Sequence, residues 1–419
     1  MNGVSRTLSL TRRRFIGSVS LAAPALILML PDSAHGVDSR TTDARRLAKA
    51  RVTPTALLSP SPTLALSEIK HGQQITADKV GRAGAAGFAN IAALTDQGAT
   101  TYSTTQTVRN TRFTGMVRVI GGDVTFEYCV FAFAPPRGGA ALLQYNSGND
   151  TGTVICNYCD FDAGLRGAQG EFETCGFQAG QRARLNSGTS NQSSAFLLFR
   201  CRLEGFGNLV GVHKFTSAPC QITECLLANP TTGHGTHPDG IEIYSSDNLA
   251  VQLSRIVLGP SCQSCINIAP MDNPFPSPGH PIIIQDCYID GGGCNSPVLT
   301  RWMGQGLGSG TSIRNVMYMG NYFSDASNYG RECDFNGMDV TFDKSYALSN
   351  PTVIFWEQTN VWAPNGEGVR DPLTAPSGNV PAGRPHRPGG FISQANFFGG
   401  EVWIWNGKVV GPTTLVPAP

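Results

Sequence analysis

Cys159-Asp160-Phe161, Cys175-Gly176-Phe177, Cys201-Arg202-Leu203 and Cys225-Leu226-Leu227 repeat one signature. Each is a cysteine, any residue and a large apolar residue, followed by a turn. Thr111-Arg112-Phe113, Cys129-Val130-Phe131 and Cys287-Tyr288-Ile289 belong to the same series, and Asn321-Tyr322-Phe323 and Asn396-Phe397-Phe398 read as late members. Ile256-Val257-Leu258 fills the gap in the middle without a cysteine. The members recur every 16 to 34 residues or so, the mark of a repeat architecture. Helical repeats need apolar residues three or four apart over ten or more positions, and no such run accompanies the signature. A stack of short strands meets the pattern, because each strand then buries one side and pairs its backbone with the next coil.

Within a unit the cysteine and the large apolar residue sit two apart, so both point inward. Stacked coils then carry a cysteine column beside an aromatic and aliphatic column. Cysteine suits such a column, being small and readily buried. Disulfides along it are the competing reading, but neighbouring rungs about 4.8 Å apart hold their side chains parallel.

A second stretch carries the candidate chemistry. Thr236-His237-Pro238-Asp239-Gly240-Ile241-Glu242-Ile243 places a histidine, two carboxylates and a Pro/Gly turn ahead of an alternating apolar run. With the repeat, this segment makes the chain resemble a right-handed parallel β-helix of the pectin-lyase-like superfamily. More narrowly, it resembles exported bacterial β-helix proteins with a His-x-Asp-Gly-Ile-Gln segment. Glu242 stands where that segment has glutamine. The resemblance runs from about Ile75 to Phe323 and implies an all-β, right-handed parallel β-helix with a carbohydrate-related role.

The segments Gly211-Val212-His213-Lys214, Gly240-Ile241-Glu242-Ile243, Cys265-Ile266-Asn267-Ile268 and Val298-Leu299-Thr300-Arg301 superpose by their apolar cores. This register predicts that Val212, Ile241, Ile266 and Leu299 stack inward. His213, Glu242, Asn267 and Thr300 are then expected on a solvent face, beside Phe215, Tyr244, Ala269 and Trp302. Aromatic rings such as Tyr244 and Trp302 suit the flat faces of sugars. His237 and Asn267 are further candidates for substrate contact.

Two chemistries fit these residues. Asp239 and Glu242 suit the acid and the base or nucleophile of a glycoside hydrolase. His213, Lys214 or His237 suits the base of a β-elimination, with Arg301 neutralising the uronate carboxylate. The superfamily resemblance favours elimination from a polysaccharide. A non-catalytic glycan-binding or structural envelope protein is the reading from another class. Asp239 also suits a plain turn cap, as Asp-Gly after Pro often does, and Glu242 with His213 a plain cross-strand pair. The spacing matches no standard zinc pattern, and no cofactor is called for, with calcium left open.

The first 36 residues read as an address. Thr11-Arg12-Arg13-Arg14-Phe15-Ile16 resembles a twin-arginine signal, followed by an apolar run to Leu30 and a small-residue cleavage site at Ala34-His35-Gly36. The expectation is export to the periplasm or beyond. Residues 37–75 read as an arm, 76–325 as the β-helix, and 326–419 as an irregular excursion ending in a capping strand. In 419 residues there are 49 glycines, 27 prolines and 15% charged residues, which favours tight turns over long solvated helices. No Lys/Arg run follows the leader, which argues against a nucleic-acid partner. No later segment is long and apolar enough to span a membrane. The expected partner is a polysaccharide, and the expected state a monomer or homotrimer.

Overall fold

The computed structural model describes residues 72–86, 91–136, 138–145, 152–164, 174–180, 195–213, 218–231, 238–245, 248–259, 262–268, 281–292, 296–300 and 316–324, with Cys294 and shorter segments between 332 and 411. The leader, most of the arm, Lys214, His237, Arg301, Trp302 and Asn396-Phe397-Phe398 lie outside them, as does the side chain of Tyr244.

Successive strands visit three sheets, of ten, twelve and ten strands, in rotation as far as Glu332–Asp334; beyond it Val340–Thr341 and Ile354–Trp356 both join the third sheet, and the last three strands all join the second. The first sheet runs from Thr95–Gln97 to Val361–Ala363, the second starts at Thr100–Tyr102, and the third starts at Gln106–Arg109. Neighbouring strands are parallel in every sheet except at the end of the second, where Val402–Trp405 and Lys408–Gly411 turn antiparallel. This is an all-β parallel β-helix solenoid. The sheets continue past residue 325 through Glu332–Asp334, Ile354–Trp356, Val361–Ala363 and Gly390–Ser393. Among the described residues no helix is long and apolar enough to cross a membrane.

The signature Cys-x-Phe is the step from the third sheet to the first. One residue makes that corner, and it takes the left-handed conformation coil after coil: Asn110, Tyr128, Tyr158, Arg200, Glu224, Leu253 and Asp286, with φ between 49° and 57°, then Gly320 at 62°. Glycine adopts this conformation freely, whereas each of the others pays about 1–2 kcal/mol for it. The residue after each corner offsets that strain. Thr111, Cys129, Cys159, Cys201, Cys225, Ser254, Cys287, Asn321 and Asn360 form one column. Its side chains donate to carbonyls of the preceding coil: Cys225 Sγ to Leu198 at 3.4 Å, Ser254 Oγ to Ile222 at 3.5 Å, and Asn321 Nδ2 to Ile284 at 2.8 Å. They also accept a backbone N–H from the preceding rung. Cys201 N–H goes to Cys225 Sγ at 3.3 Å, Cys225 N–H to Ser254 Oγ at 3.1 Å, and Cys287 N–H to Asn321 Oδ1 at 3.0 Å. Cysteine, serine and asparagine interchange here because each is a short side chain that both donates and accepts.

Two residues on, Phe113, Phe131, Phe161, Leu203, Leu227, Ile256, Ile289, Phe323 and Trp362 stand in register as a second column. Phe131 and Phe161 stack with centroids 4.4 Å apart and planes 13° apart. The unit that fills the gap is therefore Ser254-Arg255-Ile256, not Ile256-Val257-Leu258. The other correction is Cys175-Gly176-Phe177, which lies in the second sheet. Phe177 joins the core there, while Cys175 sits in a separate cluster with Ala140, Leu143 and Tyr145. The described cysteines are free thiols and buried, so the column holds without disulfides.

Residues 72–86 lie along this ridge. Gly72 N–H donates to the Asp286 carbonyl at 2.8 Å and Gly81 N–H to the Arg200 carbonyl at 2.7 Å, while Arg82 reaches Asn110 Oδ1 at 3.1 Å. Ile75 and Val80 are buried against Leu226 and Leu253.

Candidate functional site

The site lies on the outer face of the second sheet. Its strands here are Asn208–His213, Asp239–Ser245 and Ser264–Ile268. Val210, Ile241, Ile266 and Val298 are Cα partners and buried in the core, as are Val212, Ile243 and Ile268. The residues between them, Gly211, Glu242, Asn267 and Leu299, form the outward ladder. The expected pairing of Glu242 with Asn267 is present. The two flanking strands are corrected. Val212 partners Ile243 rather than Ile241, so His213 stands opposite Ser245 across a register shift. On the other side Asn267 partners Leu299, and Thr300 partners Ile268. A one- or two-residue slip costs little in apolar matching when three consecutive positions are apolar or small, which is why the sequence pattern misplaced both.

Each of the three strands opens on a polar residue three positions before its ladder member: Asn208 before Gly211, Asp239 before Glu242, and Ser264 before Asn267. That i and i+3 recurrence is the signal that could have found Asn208 and Ser264. The two sets interlock. Asn208 Nδ2 donates to Glu242 Oε2 at 2.7 Å, and Asn208 Oδ1 accepts the Asp239 N–H at 3.0 Å. Asp239 Oδ1 accepts the Ser264 N–H at 3.0 Å and the Ser264 hydroxyl at 2.7 Å, while Asp239 Oδ2 accepts Asn267 Nδ2 at 2.9 Å. His213 reaches back across the shift, and its Nε2 lies 3.2 Å from Glu242 Oε2. Gly211 makes room for this: a Cβ there would stand 3.3 Å from both Nε2 and Cε1 of His213 and 2.9 Å from Cys175 Sγ.

None of these groups is on an open solvent face. Asp239 is 0% exposed, His213 4%, Glu242 5% and Asn267 5%. Burial, followed by the charge of Glu242, pushes the Asp239 carboxyl up to about 8, against the pull of its hydrogen bonds from Asn267 and Ser264. Asp239 thus holds a proton at neutral pH beside a second carboxylate. Its three accepted hydrogen bonds come from Ser264 and Asn267 of the next coil and make it a positioning residue. Glu242 and His213 form a carboxylate–imidazole pair whose carboxylate is fixed by Asn208.

The described residues contain no group of three or more His, Cys, Asp or Glu able to hold a metal ion. Comparison with protein-family models, with curated proteins and with solved structures returns no match to this chain.

Proposed function

We propose that this protein is an exported carbohydrate-active enzyme of the pectin-lyase-like kind that cleaves a polysaccharide by β-elimination. The observation that carries the reading is the His213–Glu242 pair, an imidazole 3.2 Å from a carboxylate that Asn208 anchors at 2.7 Å. A general base needs a partner that fixes its orientation, and Glu242 holds the His213 imidazole in place. In the reaction the proton α to the uronate carboxyl passes to His213, the C–H electrons form the new double bond, and the C–O bond to the glycosidic oxygen breaks with its electron pair on that oxygen, which takes a proton from water. Lys214 and His237 remain the alternative proposed bases and Arg301 the proposed partner of the uronate carboxylate, with His237, Tyr244 and Trp302 proposed along the sugar chain. The twin-arginine leader supports export before the protein meets its substrate.

A second reading is hydrolysis, and one observation favours it. Asp239 and Glu242 share one buried network, with Asp239 held protonated to about 8. Two carboxylates kept in different protonation states are the equipment of a glycoside hydrolase. The locked oxygens of Asp239 place this reading second.

The test is to offer the purified mature protein a panel of acidic and neutral polysaccharides. One follows the ultraviolet band of an unsaturated uronate and, separately, new reducing ends. Elimination gives both signals on an acidic glycan, and His213→Ala lowers the rate about 10²–10⁴-fold in a variant whose far-ultraviolet circular dichroism shows it folded. Reducing ends without the ultraviolet band shift the assignment to hydrolysis. Binding without either signal leaves a glycan-binding rod and sinks the enzyme reading.

A further inference from the structure

The first coil of the solenoid consists of Thr95–Gln97, Thr100–Tyr102 and Gln106–Arg109, and it leaves three strand edges at one end of the molecule. Each strand pairs with the second coil on one side, where Thr95, Thr100 and Gln106 donate to the carbonyls of Asn110, Met116 and Asp123. Backbone groups alternate in direction along a strand, so the N–H and C=O of Asp96, Thr101 and Thr107 turn the other way, out of the end. Thr95, Asp96, Thr101, Gln106, Thr107 and Arg109 are all exposed. The chain enters the described structure at Gly72, beside Asp286 at the seventh corner from this end, and among the described residues nothing crosses it. Open edges are ordinarily guarded by lysine, proline or a covering helix. These three strands contain neither lysine nor proline, and their threonines suit strand pairing.

We propose that this end docks head to head on a second copy of the chain, forming a reversible two-fold dimer.

Charge selects both the occupant and the axis. Coils that meet end to end run in opposite senses, so every strand contact between the copies is antiparallel. A two-fold axis through Thr100–Tyr102 lays that strand on its own counterpart and lays Thr95–Gln97 on Gln106–Arg109 of the second copy. Asp96 of each copy then faces Arg109 of the other. Asp96 is held by Arg112, Oδ1 to Nε at 2.7 Å, and Arg109 by Glu127, Nε to Oε2 at 2.6 Å. The charges therefore alternate across the junction, from Arg112 and Asp96 of one copy to Arg109 and Glu127 of the other. An axis through Thr95–Gln97 sets Asp96 against its own copy, and one through Gln106–Arg109 does the same to Arg109. Both are repulsive.

The inner positions of this coil make the dimer reversible. Where the second coil has Phe113, Val117 and Val124, the first has Gln97, Thr100 and Gln106. Gln97 Nε2 donates to Thr100 Oγ1 at 3.2 Å, and the Tyr102 hydroxyl lies 3.4 Å from Gln97 Oε1. A terminal coil with a polar inner layer survives in water on its own. Strands of three, three and four residues also fall short of the roughly 20–30 residues a side of a stable interface, so dissociation in the micromolar range or weaker is expected.

The experiment is sedimentation velocity of the full mature chain from about 1 μM to about 1 mM. The wild type is expected to pass from monomer towards dimer. Arg109→Asp and Asp96→Arg each weaken association by about tenfold or more, because like charges then meet twice across the axis. Mixed in equal amounts, the two variants associate again, since a chain with two acidic groups now faces one with two basic groups. Both positions are exposed, and far-ultraviolet circular dichroism checks that each variant is folded. Should either variant not fold, Thr101→Pro serves instead: it removes an N–H at the axis and is expected to weaken association by a similar factor. A wild type that stays monomeric throughout overturns the proposal. So does a dimer that is indifferent to these changes, or a mixture that associates no better than its components.

Discussion

Replacing Cys225 separates two explanations of the ridge column, buried volume and hydrogen bonding. The thiol of Cys225 accepts the N–H of Cys201 at 3.3 Å and donates to the Leu198 carbonyl at 3.4 Å. Cys201 and Cys225 are both 0% exposed, so nothing else replaces that acceptor from solvent. Cys225→Val keeps a buried apolar side chain of similar size but leaves the Cys201 N–H unpaired. An unpaired buried donor costs about 1–3 kcal/mol. Cys225→Ser keeps both hydrogen bonds, as Ser254 demonstrates one coil further on, where its hydroxyl accepts the Cys225 N–H at 3.1 Å and donates to the Ile222 carbonyl at 3.5 Å. The serine variant gives up some apolar packing and is expected to lose about 1 kcal/mol or less. Thermal unfolding followed by far-ultraviolet circular dichroism ranks them: wild type, then serine, then valine, with valine lower by a few degrees. If valine melts at or above serine, packing alone holds the column and the hydrogen-bond account fails.

Other expectations follow from the same architecture. Phe161→Ala empties the middle of the aromatic stack beside Phe131 and is expected to cost about 3–5 kcal/mol, read from denaturant midpoints; a loss under about 1 kcal/mol would show that neighbouring coils collapse into the space. Arg200 and Glu224 form a buried pair, Nε to Oε2 at 2.5 Å with side chains 4% and 0% exposed. Glu224→Ala strands the arginine and is expected to lose about 3–5 kcal/mol, whereas the double change Arg200→Met with Glu224→Leu loses less. Asp239 keeps its proton in the folded protein up to about pH 8, while the unfolded chain releases it near 3.8. The folded state therefore binds more protons across that window, and wild-type stability falls as pH rises through it. Asp239→Asn removes the slope, so the melting temperatures of the two proteins diverge between about pH 4 and 8; parallel curves would show Asp239 ionised throughout.

Two features kept part of the solenoid out of view in the sequence. The corner residues of the ridge are Tyr128, Tyr158, Arg200, Glu224 and Leu253 as readily as glycine, so the left-handed turns carry no glycine signal. From Asn321 onward the sheets persist while the column changes from cysteine to asparagine, at Asn321 and Asn360. Asn321-Tyr322-Phe323 is still recognisable as a member, but Asn360-Val361-Trp362 is not, although the hydrogen bonding continues from rung to rung. The candidate site was legible in part. Asp239, Glu242, His213 and Asn267 were singled out by residue type and by their place beside apolar strands. Asn208 and Ser264, which lock two of them in place, were not, because one polar residue at a strand start reads as an ordinary turn and only its recurrence three positions before the ladder in successive coils marks it.

The alternation of apolar residues and the Cys-x-Phe period by themselves determine that this chain coils into stacked parallel strands with a thiol column inside. Both are local, since each unit must bury the same side against the next. Register and burial were decided only by the tertiary structure. Whether Val212 meets Ile241 or Ile243 depends on where the corners fall and on the shift before His213, and a period-two pattern is blind to a slip of two. The proton on Asp239 likewise follows from three neighbouring coils closing around one carboxyl, a circumstance that no single stretch of residues contains.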